Sequence, residues 1–187
     1  MRWSVFTAFA FVLIVVQVSV RNVFTLEQLR GLSPDLVACL VVFVSLFAHR
    51  SSVLWACWIL GMLMDLAPSD RGLEYHLLGP HALGYVAGGY LILQLRTMVF
   101  RRRMVTMAFL TFTCLVATAL VAVSILVLRS GLYSEAVLPT GAFRELLFRF
   151  GIAIYSALLA MPIGWLLNVT MPLWGFQSFT HRRTSGW

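Results

Sequence analysis

The sequence predicts an all-α integral membrane protein, a bundle of six transmembrane helices. Hydrophobic residues make up 60% of its 187 residues and charged residues 11%, whereas about 25% of the residues in a soluble domain are charged. The acidic residues fall in or beside alternate loops, and the densest arginine run falls in the opposite set, as a bilayer with one basic-preferring face requires. We expect one membrane domain over residues 1–187, with spans at about 3–20, 34–48, 53–68, 77–95, 104–128 and 143–167.

The first span follows Arg2, as the apolar region of a signal peptide would. Val18-Ser19-Val20 offers no small-x-small cleavage site, so we interpret this span as an anchor. The second span opens with Ser33-Pro34-Asp35, which combines a capping hydroxyl, a proline in the first turn and an acid near the positive helix end. This pattern predicts a helix start.

The second and third spans are short and are joined by His49–Ser52, which predicts an antiparallel helical hairpin. The hydrocarbon core of a bilayer is about 30 Å thick and requires about 20 helical residues. We therefore expect neighbouring helices or local thinning of the bilayer to shield the hairpin ends.

The arginines predict that both termini are cytoplasmic. With the N terminus inside, eight of the 14 arginines fall on the inner side, including Arg96, Arg101, Arg102 and Arg103, which we expect to contact anionic lipids. Arginines that flank the spans also account for the net charge of +7, so this charge does not require a nucleic-acid partner. The tail 168–187 is expected inside. The tryptophans map to inner span ends or to the tail, as in an aromatic belt: Trp3, Trp55, Trp58, Trp165, Trp174 and Trp187.

Ionisable residues inside spans are the first functional candidates, because burying one costs several kcal/mol unless it is paired. Four lie at predicted outer span ends: Asp35, Asp65, His81 and Arg149. Asp65 falls in the last turn of its helix, where the dipole disfavours an acid. We expect a specific partner for it, either His81 or Arg149, although Glu145 could pair with Arg149 instead. The alternative is that these side chains simply reach headgroups or water.

Small residues predict close helix packing in the fourth span, where Gly84 and Gly88 have the Gly-x-x-x-Gly spacing and Gly89 follows. We expect this face to pack inside the bundle rather than to form a dimer. Gly61 predicts a similar contact for the third span, and Pro162 predicts a kink in the sixth.

Enzyme signatures are missing from the sequence. It contains no nucleophile elbow, no His-Glu-x-x-His motif and no glycine-rich phosphate loop. Cys39, Cys57 and Cys114 have neither disulfide nor metal spacing. We expect no catalytic activity, no cofactor and no metal.

Three segments resemble the MreD family of rod shape-determining membrane proteins. Gly61–Asp65 reads Gly-Met-Leu-Met-Asp, and residues 78–85 read Leu-Gly-Pro-His-Ala-Leu-Gly-Tyr. The family ends its third span with a glycine and an aspartate, and opens the fourth with Leu-Gly-x-(His or Asn)-Ala-Leu. Residues 156–162 are similar to its last span, whereas residues 69–77 look like an insertion.

The resemblance implies a non-enzymatic scaffold in the bacterial cytoplasmic (inner) membrane. Its partner would be an MreC-like protein and, through it, MreB, RodA and a class B penicillin-binding protein. The implied fold is similar to the substrate-binding subunits of energy-coupling-factor vitamin transporters. The residues that we expect to be structural or partner-binding are Gly61, Asp65, Gly79, His81, Arg149 and Pro162.

Two other functions remain open. The first is a vitamin-binding importer subunit, although the first span lacks the alanine-x-x-x-alanine docking face that such subunits often carry. The second is a lipid-directed intramembrane enzyme with Asp65 and His81 as acid and base, but no nucleophile or phosphate clamp accompanies these residues. For the scaffold, Asp65→Ala should impair assembly or partner binding more than Asp70→Ala.

Overall fold

The computed structural model describes residues 2–24, 33–67, 79–97, 104–132 and 142–175. These residues form six α-helices and one short 3-10 helix, and each α-helix overlaps one predicted span. The elements are α1 (Trp3–Phe24), α2 (Leu36–Phe47), α3 (Arg50–Leu66), α4 (Pro80–Leu95), α5 (Met104–Leu132), α6 (Ala142–Val169) and the 3-10 helix (Met171–Trp174).

The helix α2 lies at the centre of the bundle. Every residue from Leu36 to Leu46 is buried. The helices α3, α4, α5 and α6 pack in sequence against one another around α2, and α1 packs on its remaining side. A helix that is apolar all round is buried all round, which explains the even hydrophobicity of this segment.

Neighbouring helices shield the ends of α2. Its 12 residues rise only about 18 Å, so its terminal polar groups lie inside the bundle. At the C-terminal end, the backbone carbonyl of Ala48 accepts a hydrogen bond from Nη1 of Arg96 at 3.0 Å. Arg96, which was expected to contact lipid, therefore also caps the central helix.

The glycines of α4 pack inside the bundle, as expected. A Cβ added to Gly84 would lie 2.6 Å from Cγ2 of Thr118, and one added to Gly88 would lie 2.6 Å from Sγ of Cys114. Both neighbours belong to α5, whereas Gly89 faces α3. The absence of side chains allows α4 to approach the helices on both sides closely.

The chain after α6 packs back onto the bundle. Trp174 is fully buried, with its ring centroid 5.0 Å from that of Phe9 and 5.2 Å from that of Phe43. Its carbonyl accepts a hydrogen bond from the backbone N–H of Arg2 at 3.1 Å. The expected position of Trp174 in an aromatic belt is therefore wrong, because its side chain fills a gap between α1 and α2.

Other tryptophans have the exposure expected of a belt, between 44% and 59%. These are Trp3, Trp55, Trp58 and Trp165. The helix α6 continues without interruption through Pro162, whose side chain is exposed.

Within the part of the chain that the structure describes, two helical stretches are long and apolar enough to cross a membrane, Val105–Leu128 in α5 and Leu146–Val169 in α6. The apolar stretches of α1 and α2 are shorter. We call the end of the bundle where α4 begins the capping end, and the end marked by Arg2, Arg50 and Arg96 the basic end.

Candidate functional site

Asp65 joins the end of α3 to the beginning of α4. Its Oδ2 accepts hydrogen bonds from the backbone N–H groups of Gly79 at 2.8 Å and Ala82 at 3.2 Å. Its Oδ1 accepts one from the backbone N–H of His81 at 3.2 Å and contacts Nδ1 of the same residue at 2.7 Å. The first N–H groups of a helix have no partner within it, and Asp65 supplies that partner from a neighbouring helix.

Two glycines allow this contact. A Cβ at Gly61 would overlap the Cα of Ala82 and would lie 2.7 Å from its nitrogen, so only glycine lets the first turn of α4 approach α3 this closely. Gly79 has a φ of +124°, a conformation that residues with a side chain rarely adopt. It turns the chain into α4 while directing its own N–H to Asp65.

The imidazole of His81 has a fixed orientation. Its Nδ1 contacts a carboxylate whose side chain is 1% exposed, while the His81 side chain is 36% exposed. Because Nδ1 contacts Asp65, Nε2 lies on the opposite edge of the same ring. His81 is therefore the predicted partner of Asp65, and its side chain is partly exposed.

A second polar group caps the beginning of α2. Oδ1 of Asp35 accepts from the N–H of Ala38 at 3.1 Å. Oε1 of Gln17 accepts from the N–H groups of Leu36 at 2.6 Å and Val37 at 3.3 Å.

The remaining contacts of Asp35 come from two other helices. Its N–H donates to Oγ of Ser156 at 2.8 Å, and the hydroxyl of Tyr85 donates to its Oδ2. The backbone donors at the start of α2 are thereby satisfied by side chains from α1, α2 and α6.

This second group lies deep in the bundle. Ser156 is the eleventh residue of the 24-residue apolar stretch of α6. Thr118 is the fourteenth residue of the 24-residue apolar stretch of α5. It packs against Gly84, the residue that precedes Tyr85 on α4. The helix α2 thus begins about halfway along the two long helices. Asp35 is therefore buried among helices, where its carboxylate caps the start of α2.

The two polar groups are adjacent. The rings of His81 and Tyr85 meet edge to face, with centroids 6.5 Å apart. We call the combined set the capping cluster. Its members are Gln17, Asp35, Asp65, His81, Tyr85 and Ser156.

Four of the predicted site residues come together at the junction of α3 and α4: Gly61, Asp65, Gly79 and His81. Arg149 is partly buried on α6, seven residues before Ser156, and Pro162 lies further along the same helix. Arg101, Arg102 and Arg103, residues 69–77, the side chain of Glu145 and the tail after residue 175 lie outside the described residues.

Sequence reasoning missed Gln17, Tyr85 and Ser156. Gln17 carried a usable signal, since it is the one amide in an otherwise apolar span, and polar groups in such spans bond to neighbouring helices. Tyr85 and Ser156 carried none beyond their positions inside the quoted family segments. Among the described residues, no group of three or more His, Cys, Asp or Glu side chains could hold a metal ion.

Comparison with known families adds a decisive match. The model of the rod shape-determining protein MreD matches residues 1–169. The chain belongs to the MreD family. It is thus a membrane protein of a family that determines rod shape, and the helices of the capping cluster all lie within the matched range. No curated protein and no solved structure matches the chain.

Proposed function

We propose that this MreD protein is a non-enzymatic scaffold of the cell-wall elongation complex in the bacterial inner membrane. It would hold an MreC-like single-span partner and, through it, MreB, RodA and a class B penicillin-binding protein. The chain would pass through the membrane six times, with both termini in the cytoplasm and the capping end facing outward.

The engagement of Asp65 is the observation that carries this proposal. Its carboxylate contacts three backbone N–H groups and an imidazole. A general acid or base must reach the reacting proton itself, whereas these oxygens are occupied by the fold. Asp65, the strongest candidate for an acid or base in the sequence, therefore acts as a cap between helices. This favours a scaffold over an enzyme that acts on lipids.

His81 gives the scaffold a surface contact. Asp65 holds the Nδ1 edge of this partly exposed ring, and Nε2 is on the other edge. We propose that a donor on the partner helix binds this nitrogen. Leu66, which is well exposed beside Asp65, supplies apolar surface for the same helix.

The test is allelic replacement in the source bacterium, with cell width and copurification of the single-span partner as readouts. Asp65→Ala should widen or round the cells and reduce recovery of the partner. Asp70→Ala, in the segment after α3, is the control and should preserve both. The proposal would be contradicted if cells that lack this protein kept their rod shape, or if both variants recovered the partner equally.

A second variant separates partner binding from folding. His81→Ala removes Nε2 but leaves the backbone hydrogen bonds of Asp65 in place. This variant should accumulate in membranes like the wild type, but the single-span partner should no longer copurify with it. Normal recovery of the partner by His81→Ala would remove His81 from the interface.

A further inference from the structure

The basic end carries an exposed polar group that neither the fold nor the proposed scaffold uses. Arg50, the first residue of α3, is exposed, and its guanidinium carbon lies 5.7 Å from the ring centroid of Tyr90 on α4. Nε2 of Gln94 donates to the hydroxyl oxygen of Tyr90 at 3.0 Å. The side chains thus form a small platform shared by α3 and α4.

This platform has more donors than acceptors. Among the described residues, no carboxylate pairs with Arg50, whose guanidinium carries five N–H donors. Because the oxygen of Tyr90 accepts from Gln94, its own proton is available to donate outward. His49 is exposed beside Arg50. The chemistry of these donors matches an acceptor-rich anion.

The surface next to the platform is apolar. Leu83, Ala87, Tyr90 and Gln94 follow one another at helical spacing along α4. Leu83 is 55% exposed and Leu91, beside the stripe, is 42% exposed. The surface is therefore polar toward the basic end and apolar toward the capping end, as an amphiphile would require.

We propose that Arg50, Tyr90 and Gln94 bind the phosphate of an anionic phospholipid whose acyl chain lies along α4 toward Leu83. Guanidinium forks match phosphate oxygens, and stacking on an aromatic ring holds the fork in place. This site is separate from the capping cluster, and it stands whether or not the scaffold function holds.

Native mass spectrometry of the purified full-length protein in detergent tests this inference. The probes are phosphatidylglycerol and, as the neutral control, phosphatidylcholine. The wild type should retain phosphatidylglycerol preferentially, and Arg50→Gln should bind it about fivefold more weakly, the effect of one arginine near an anionic leaflet. Arg144→Gln, an exposed arginine at the start of α6, should bind it like the wild type.

Two further variants keep the test informative if Arg50→Gln misfolds. Tyr90→Phe retains the ring and removes the outward hydroxyl, so it should lose phosphatidylglycerol without changing phosphatidylcholine binding. Arg50→Lys keeps the charge but loses the fork and should also bind more weakly.

Three outcomes would overturn the proposal. The first is that all the folded platform variants bind phosphatidylglycerol as the wild type does. The second is that Arg144→Gln loses as much phosphatidylglycerol binding as Arg50→Gln. The third is that excess inorganic phosphate displaces phosphatidylglycerol. The last would mean that the platform binds free phosphate and not a lipid.

Discussion

Asp65, in the last turn of α3, accepts a 2.8 Å hydrogen bond from the backbone N–H of Gly79, which immediately precedes α4. An acid at a helix C-terminus is unfavourable in its own helix. Here the carboxylate instead meets the positive end of the next helix. One side chain at the end of α3 thereby caps the start of α4.

Asp65→Ala should lower the free energy of unfolding by about 3 kcal/mol, because it leaves buried N–H groups without an acceptor. Asp65→Asn retains one acceptor oxygen and should lose less. Denaturant titration in detergent micelles measures both. Equal stability of Asp65→Ala and the wild type would show that water or lipid replaces the cap.

The two nitrogens of His81 can be tested separately. Asparagine places its amide near the position of Nδ1 and can still donate to Asp65, whereas glutamine places it near Nε2. His81→Asn should remain close to wild-type stability, and His81→Gln should lose about 1 kcal/mol. The reverse order in a thermal unfolding series would contradict the assigned contact.

Gly61→Ala should destabilise the bundle by about 2 kcal/mol, the usual result of overpacking. The added methyl group would meet the backbone of Ala82, which cannot move without shifting α4. Gly164→Ala is a matched control, since its nearest neighbour is the Met107 side chain at 3.3 Å. Unfolding midpoints should therefore fall much further for Gly61→Ala than for Gly164→Ala.

Gln17→Leu should cost about 2 to 4 kcal/mol, because the N–H groups of Leu36 and Val37 lose their acceptor in an apolar setting. Thr7→Val on the same helix removes only an exposed hydroxyl bonded to Ser4 and should be nearly neutral. Comparable losses in the two variants would mean that α1 is held by apolar packing alone.

Trp174→Ala should lower stability by about 3 to 5 kcal/mol, as expected for a large buried aromatic side chain. Trp165→Ala is the control, because that ring is 56% exposed and its loss leaves no cavity. Similar unfolding curves for the two variants would show that the residues after α6 do not support the bundle.

The pattern of the sequence was enough for the local features. Long apolar stretches and the glycine spacing of α4 are properties of one helix at a time, and the structure contains both. The Ser-Pro-Asp pattern correctly indicated a helix start, but α2 begins at Leu36 and its cap is Asp35, not Ser33. Asp65 was also recognisable, because an acid in the last turn of an apolar helix requires a partner.

The sequence by itself thus determined the helices, the family segments and the need of Asp65 for a partner. Only the tertiary structure decided that His81 is that partner, that α2 is central and begins halfway along α5 and α6, and that Trp174 is buried. The physical reason is the sequence separation of the contacts. Gln17, Asp35, Tyr85 and Ser156 meet across four helices, and no periodicity within one helix records which neighbour its polar side chain will reach.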